Sequence, residues 1–482
     1  MPCSWRAGGR CRYPGPRALT EGGRETGIIP LMLRLREDTL VVFVSDSHIG
    51  GDPGCDGFES PGELKALLEE LAGYEGPVEL ILAGDFFDFL QISPPPDGVD
   101  RAALTMSKPE YEALFAALAR FNSGERNRVV YMPGNHDAEM WWNPKIQETL
   151  RERGLVDEFA LSYEVCFEVG EERWIVYCEH GNQFDPANTV ENYTDPLDTP
   201  LGHHVVTDFT RRIAPFGEIS RGLDLSEIKN VYPLVDIPRW VASRYFYDFA
   251  GKVMAYLLLP LLVAYVVYRA TAFFIAFFRN DPTWFWGNYQ ELLPVHRLFL
   301  DIGFYGLVIL FIFAIFFLVV RRAVRRTVAT VSLKRKPSYS PAASSREKIR
   351  AVMQGEASPP MAPSGPTEDM DVFVSGHTHL PSLDEVEKPD GRKGVMVNSG
   401  CWLRQLQPVS PYLKGPPVFV SKFVLTYVRV YMQGSSLRVE LWEHPKPAEQ
   451  RLTRLERLLS LYRRPPQPPA NSKPRVWADS TL

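Results

Sequence analysis

Residues 41–50 read VVFVSDSHIG, a run of β-branched and aromatic residues that ends in Asp46 and His48. An apolar run of this length reads as a buried strand. In an extended chain residues i and i+2 point to the same side, so a carboxylate oxygen and an imidazole nitrogen at the end of that strand can converge on one ion. Working outward, the same pattern recurs at VELILAGD (78–85), RVVYMPGNHD (128–137), RWIVYCEHG (173–181), DVFVSGHTH (371–379) and GVMVNSG (394–400). Amphipathic helical patterns, SPGELKALLEELAGY (60–74) and KPEYEALFAALARF (108–121), separate the early runs. Alternation of strand and helix predicts an α/β core with a parallel portion, whose site lies at the carboxyl ends of the strands. SYEVCFEVGEERWIVY reads as a hairpin, and VSKFVLTYVRVYM with SLRVELWEH as another around Gln433-Gly434-Ser435.

The chain has 482 residues, room for two or three domains or one large domain with insertions. Its formal charge of −5, with acids and bases mixed, leaves no basic field for a nucleic acid, so no nucleic-acid partner is expected. The six cysteines, Cys3, Cys11, Cys55, Cys166, Cys178 and Cys401, have no CxxC spacing, which speaks against a disulfide framework and a thiolate zinc site.

Two segments break the soluble pattern. VMAYLLLPLLVAYVVYRATAFFIAFF (253–278) is almost continuously apolar, and IGFYGLVILFIFAIFFLVV (302–320) carries no charge. A spanning helix needs about 20 apolar residues. The intervening WFWGNY supplies aromatic residues of the kind found at a membrane interface, and RRAVRRTVATVSLKRK after the second segment predicts a cytoplasmic C-terminal side. Two spans return the chain to the side it left, so the parts before and after them and both termini are expected in the cytoplasm, against the membrane lipids.

Collected in order, the strand ends give D-x-H (Asp46, His48), G-D-x-x-D (Gly84, Asp85, Asp88), G-N-H-D (Gly134, Asn135, His136, Asp137), H-G (His180, Gly181) and G-H-T-H (Gly376, His377, Thr378, His379). Asp, His and Asn without thiolate are a donor set suited to Mn, Fe or Zn, and two such ions can clamp the attacking and leaving oxygens of a phosphoryl group. These five blocks resemble those of the calcineurin-like metallophosphoesterase superfamily. The resemblance covers roughly residues 38–185 and 370–442. It implies a four-layer α-β-β-α sandwich, here with an inserted two-helix transmembrane hairpin. It also implies two divalent ions, Mn²⁺ first, and hydrolysis of a phosphodiester, pyrophosphate or phosphomonoester by a metal-bridging hydroxide. By that pattern Asp46, His48, Asp85 and His379 hold one metal, and Asp85, Asn135, His180 and His377 the other. His136 is then the general acid, with Asp88 or Asp137 orienting its ring.

GDFFDFL around Asp88 is similar to the branch containing UDP-diacylglucosamine pyrophosphatases, but that branch usually has Arg where His136 stands, which puts its substrate in doubt here. Tethering favours a lipid-linked phosphoester; the alternatives are a tethered phosphatase for soluble substrates and a silent scaffold. The expected organisation is a disordered or misassigned N-terminus (1–37) and a first core part (38–185). A cap (186–250), the hairpin (251–321) and a basic, then Pro/Ser-rich linker (322–369) follow. A second core part (370–445) and a helix with a disordered tail (446–482) complete it. His203 and His204 match no block.

Overall fold

Leu40–Val44 forms a strand buried along its whole length, because Val and Phe on both of its faces meet apolar neighbours. A computed structural model describes residues 33–211, 218–220, 223–232, 236–279, 291–332, 341–362, 370–412, 415–461 and 463–482. In it Leu40–Val44 pairs in parallel with Val78–Ala83, which pairs in parallel with Asn127–Met132. On its other side it runs antiparallel to the long strand Val418–Gln433, which turns into Ser436–Glu443. A second sheet is ordered Leu33–Leu35, Ser162–Val169, Glu172–Glu179, Met370–Ser375, Lys393–Asn398 and Ser382–Glu387.

The two sheets face each other through Val41, Phe43, Ile81 and Val130 on one side and Val165, Val176, Val372 and Val395 on the other. Helices Pro61–Ala72 and Pro109–Asn122 cover the outer face of the first sheet, with Leu64, Leu68, Leu114 and Leu118 against Val42 and Leu80. Helix Pro341–Met353 covers the second, with Ile349, Val352 and Met353 on Phe373 and Met396. The layers are therefore helix, sheet, sheet, helix. Both sheets aim the ends of their parallel strands at one rim.

Three expectations need correction. The stretch read as linker contains the helix Pro341–Met353, whose apolar spacing at 349, 352 and 353 fits one buried face. The tail read as disordered ends in the strand Arg475–Thr481, paired with Ser436–Glu443 and so supplying an edge partner. The first 37 residues, read as disordered or misassigned, include the strand Leu33–Leu35, parallel to Ser162–Val169. Residues 1–32, 333–340, 363–369 and the WFWGNY stretch lie outside the described residues.

Helix Ile237–Val253 packs on the first sheet through Trp240, Phe246 and Tyr247 and continues through a π-helical turn, Met254–Leu258, into Leu259–Arg279. Arg244 fixes it to the body, bonding Glu227 at 2.9 Å and Glu456 at 3.2 Å, while Glu227 also takes Arg404 at 3.0 Å. Among the described residues one helix, Ile237–Tyr268, is long and apolar enough to cross a membrane. The second segment read as a span falls in helix Pro294–Ser332, which contacts Leu259–Arg279.

At the margin between the sheets Tyr163 donates to Glu79 at 3.0 Å, with Arg128 at 3.5 Å. Burial pushes the Glu79 carboxyl up to about 7, against the lowering by Arg128 and Tyr163. A raised carboxyl stabilises the fold fully below its ordinary value and loses that contribution as pH rises through about 7. The Glu79→Gln variant should therefore gain on the wild type between pH 5 and 8, by on the order of 2 kcal/mol, in denaturant titrations at both pH values.

Candidate metal centre

The five blocks meet at one rim although His180 and His377 are almost two hundred residues apart in sequence, because strands Glu172–Glu179 and Met370–Ser375 are parallel neighbours. Asp46, His48 and His379 form one group of converging donor atoms, and Asp85, His180 and His377 a second. His48 links the two, its Nε2 lying 4.0 Å from Asp46 and 3.8 Å from Asp85. His379 Nε2 is 3.1 Å from Asp46 Oδ1 and 3.1 Å from His48 Nε2, and His180 Nε2 is 3.3 Å from Asp85.

Local backbone is bent to achieve this. Asp46, His48, Asp85, His377 and His379 all have φ between +49° and +67°, and they are the only non-glycine residues with positive φ among those described. Such conformations cost on the order of 1–3 kcal/mol each outside glycine and persist only where the surroundings dictate them. The surroundings here are hydrogen bonds between strand ends: Asp46 N–H to Gly84 O at 3.0 Å, His48 N–H to Asp85 O at 2.9 Å and Gly376 N–H to His180 O at 2.8 Å. The glycines of the blocks have a separate duty. A Cβ at Gly84 would lie 2.2 Å from the His180 ring, at Gly134 2.2 Å from Asp85, and at Gly376 2.4 Å from Asp46.

The donor set fits divalent ions. Among the described residues Asn135 Oδ1, His180 Nε2 and His379 Nδ1 are buried without a well-formed hydrogen bond, His180 Nε2 meeting Asp85 only as an ion-pair contact at 3.3 Å. His180 Nδ1 is held by Ala83 O at 2.9 Å, which leaves Nε2 as the nitrogen facing Asp85. Burial pulls His379 down to about 4, so its ring is neutral and offers a lone pair. Burial opposes charge on His180 too, yet Asp85 and Asp46 raise it to about 10, so the buried carboxylates favour positive charge at this position. Asp85 is correspondingly held well below the usual carboxylate range by His180, His136 and His48, despite its burial.

His136 stands beside these groups. Its Nδ1 lies 2.9 Å from Asp88, whose other oxygen is 3.6 Å from His48 Nδ1. Asp137 does something else: it accepts from the backbone N–H of Gly134 at 2.6 Å and of Phe86 at 3.0 Å, and from the Tyr131 hydroxyl. Asp137 organises the loop, and of the two carboxylates left open by the sequence Asp88 is the one within hydrogen-bond distance of the His136 ring.

Three contributors had escaped the sequence reading. Asp185 lies 3.3 Å from His377 Nε2 and accepts from Asn188 at 2.8 Å; burial notwithstanding, His377 and Asn188 hold its carboxyl at about 2. Asn188 in turn reaches Asn135 at 3.5 Å. The polar run after His-Gly, NQFDPAN, was the available signal for both. Tyr232 stacks on His379 with ring centroids 4.4 Å apart, and nothing in KNVYPLVD announces this. Of the unplaced pair, His204 meets Thr199 at 3.2 Å, whereas His203 lines a cavity of about 370 Å³ that also borders Asn135 and His136.

The helix-sheet-sheet-helix sandwich carries at its strand ends two adjoining Asp/His groups that could hold metal. The chain carries a calcineurin-like phosphoesterase domain, the family model of that description matching residues 39–231, and together these indicate a metal-dependent phosphoester hydrolase. His377 and His379 lie beyond the matched stretch and join it through the second sheet. No curated protein matches the chain.

Because the His180 ring occupies the space above Gly84, Gly84→Ala should lower bound metal, measured by elemental analysis, to half of the wild-type content or less. It should also cost about 2–4 kcal/mol in stability from overpacking combined with the left-handed backbone.

Proposed function

We propose that this protein is a membrane-anchored, dinuclear phosphoesterase acting on a phosphodiester, pyrophosphate or phosphomonoester, with lipid-linked esters as its preferred class. The observation that carries the reading is the pair of adjoining donor groups joined by His48. Asp46, His48, Asp85 and His379 would hold one divalent ion, and Asp85, Asn135, His180 and His377 the other, with Mn²⁺ the first choice among Mn, Fe and Zn for this oxygen and nitrogen set. Ions bound there activate water and neutralise phosphoryl oxygens. The chain's own residues do the rest. Asp88 engages His136 Nδ1, so His136 Nε2 is the nitrogen left to deliver a proton to the leaving oxygen. Asp137 keeps the Gly134 and Phe86 amides in place, and the His136 N–H donates to Asp85 Oδ1 at 2.8 Å, tying the acid's backbone to the shared carboxylate.

The membrane part rests on exposed apolar surface. Phe278, Leu307 and Phe311, at 77%, 68% and 66% exposure, point away from the protein on helices that touch each other through Tyr265 and Tyr305, 4.2 Å apart. Contiguous surface of this kind belongs against another apolar phase. Two spans would keep both core parts and the termini on the cytoplasmic side, as the Arg- and Lys-rich stretch after the second requires.

Detergent-purified protein should release p-nitrophenol from p-nitrophenyl phosphate or bis-p-nitrophenyl phosphate in the presence of Mn²⁺. Asp85→Asn should abolish turnover and deplete metal, whereas His136→Ala should lower turnover by about 10²–10⁴-fold with both metals retained. Two bound metals with no release from these or from lipid-linked phosphoesters would make the protein a scaffold. Equal metal loss in both variants would overturn the role given to His136.

A further inference from the structure

The cavity beside His136 has a wall chemistry that the metal centre does not account for. Its apolar side is built by Phe89, Leu90 and Trp142, and the segment 190–211 closes it from above with His203 and Arg211. At one end two guanidinium groups converge on a single neutral acceptor, the Ile92 carbonyl, Arg211 Nη1 at 3.2 Å and Arg101 Nε at 3.4 Å. Arg101 is matched by a close ion pair with Glu139. Arg211 has no carboxylate partner among the described residues, and one carbonyl leaves most of its five donors unused. The other acid on the wall, Asp198, takes the backbone N–H of Asn192 at 2.6 Å. Burial and the adjacent His204 hold His203 below the usual imidazole range, so it enters the cavity as a neutral polar group at pH 7. Among the described residues, Arg211 is the charged side chain of this mixed polar and apolar wall that has no carboxylate partner.

We propose that this cavity binds the leaving group of the substrate, and that the leaving group carries an anionic group of its own, held by Arg211, beside an aromatic or alkyl portion packed on Trp142 and Leu90. The substrate class is then an anionic amphiphile joined through the scissile phosphoester, rather than a neutral alcohol ester. Assigning the cavity to the leaving group rests on His136 being the acid of the proposed reaction; the binding chemistry of the cavity does not. A guanidinium fork paired with an anion in a partly dry site contributes enough to shift affinity about tenfold or more.

Calorimetric titration of the full detergent-solubilised chain, metal-loaded and chelated, with phenyl sulfate, phenylacetate, benzyl alcohol and inorganic sulfate tests this directly. The anionic aryl probes should bind at least about tenfold more tightly than benzyl alcohol or inorganic sulfate, with or without metal. A lead of phenyl sulfate over phenylacetate would assign the anion to the phosphate type, and the reverse to carboxylates. Arg211→Gln should erase the preference for anions, Arg211→Lys should keep part of it, and Trp142→Ala should weaken every aryl probe, all with wild-type metal content as the check on folding. Equal binding of benzyl alcohol and the anions, or a preference that survives Arg211→Gln, would overturn the proposal. Arg211-dependent binding in a metal-loaded protein that hydrolyses neither p-nitrophenyl nor lipid-linked phosphoesters would instead sink the phosphoesterase reading and leave the anionic site standing.

Discussion

Three carboxylates, Asp46, Asp85 and Asp88, are buried at the ends of adjacent strands, the first two nearly inaccessible, and each lies within 4.0 Å of the same imidazole, His48. Burying like charges together is among the least favourable things a fold can do unless cations accompany them. Much of the local architecture answers to that constraint. The histidines crowd in because they are the donors that can share an ion or carry a proton in its place. Glycines occur where a single Cβ would push a ligand aside, and five ligand candidates accept left-handed backbone because the hydrogen bonds between strand ends hold them there.

What the sequence made legible is what is local along the chain. An apolar run followed at once by Asp, His or Asn can be read without knowing its neighbours, so all five blocks and the strands beneath them were visible. Contributions made only in three dimensions were not. Tyr232 reaches His379 because Val231 bridges to Leu406 and because Glu227, a few residues earlier, is locked between Arg244 and Arg404. The partners that fix Val231 and Glu227, namely Leu406, Arg244 and Arg404, all lie more than ten residues from Tyr232. Asp185 and Asn188 were hidden for a milder reason, since polar residues after a Gly are read first as turn formers.

The misread segments share one cause. Helix Pro341–Met353 and strand Arg475–Thr481 are short and flanked by Pro-, Ser- or Ala-rich sequence, so composition outweighed periodicity in judging them. Each is held by tertiary contact more than by propensity: the helix by Phe373 and Met396 on the second sheet, the strand by its ladder to Ser436–Glu443. The reach of helix Ile237–Val253 is similar in kind. Its buried Arg244 makes the start of the long apolar helix part of the catalytic body, so the helix leaves the body in a fixed direction.

The centre draws its last two histidines from a strand that follows both long apolar helices in the chain. During synthesis, Asp46, His48, Asp85, Asn135 and His180 are available while His377 and His379 are not yet made, and by the time these arrive the apolar helices have already been produced. In chain order the first five donors therefore precede both apolar helices and the last two follow them. Strand Met370–Ser375 pairs with Glu172–Glu179 and with the later Lys393–Asn398, so the full set of donors exists only once the chain has been made past both apolar helices.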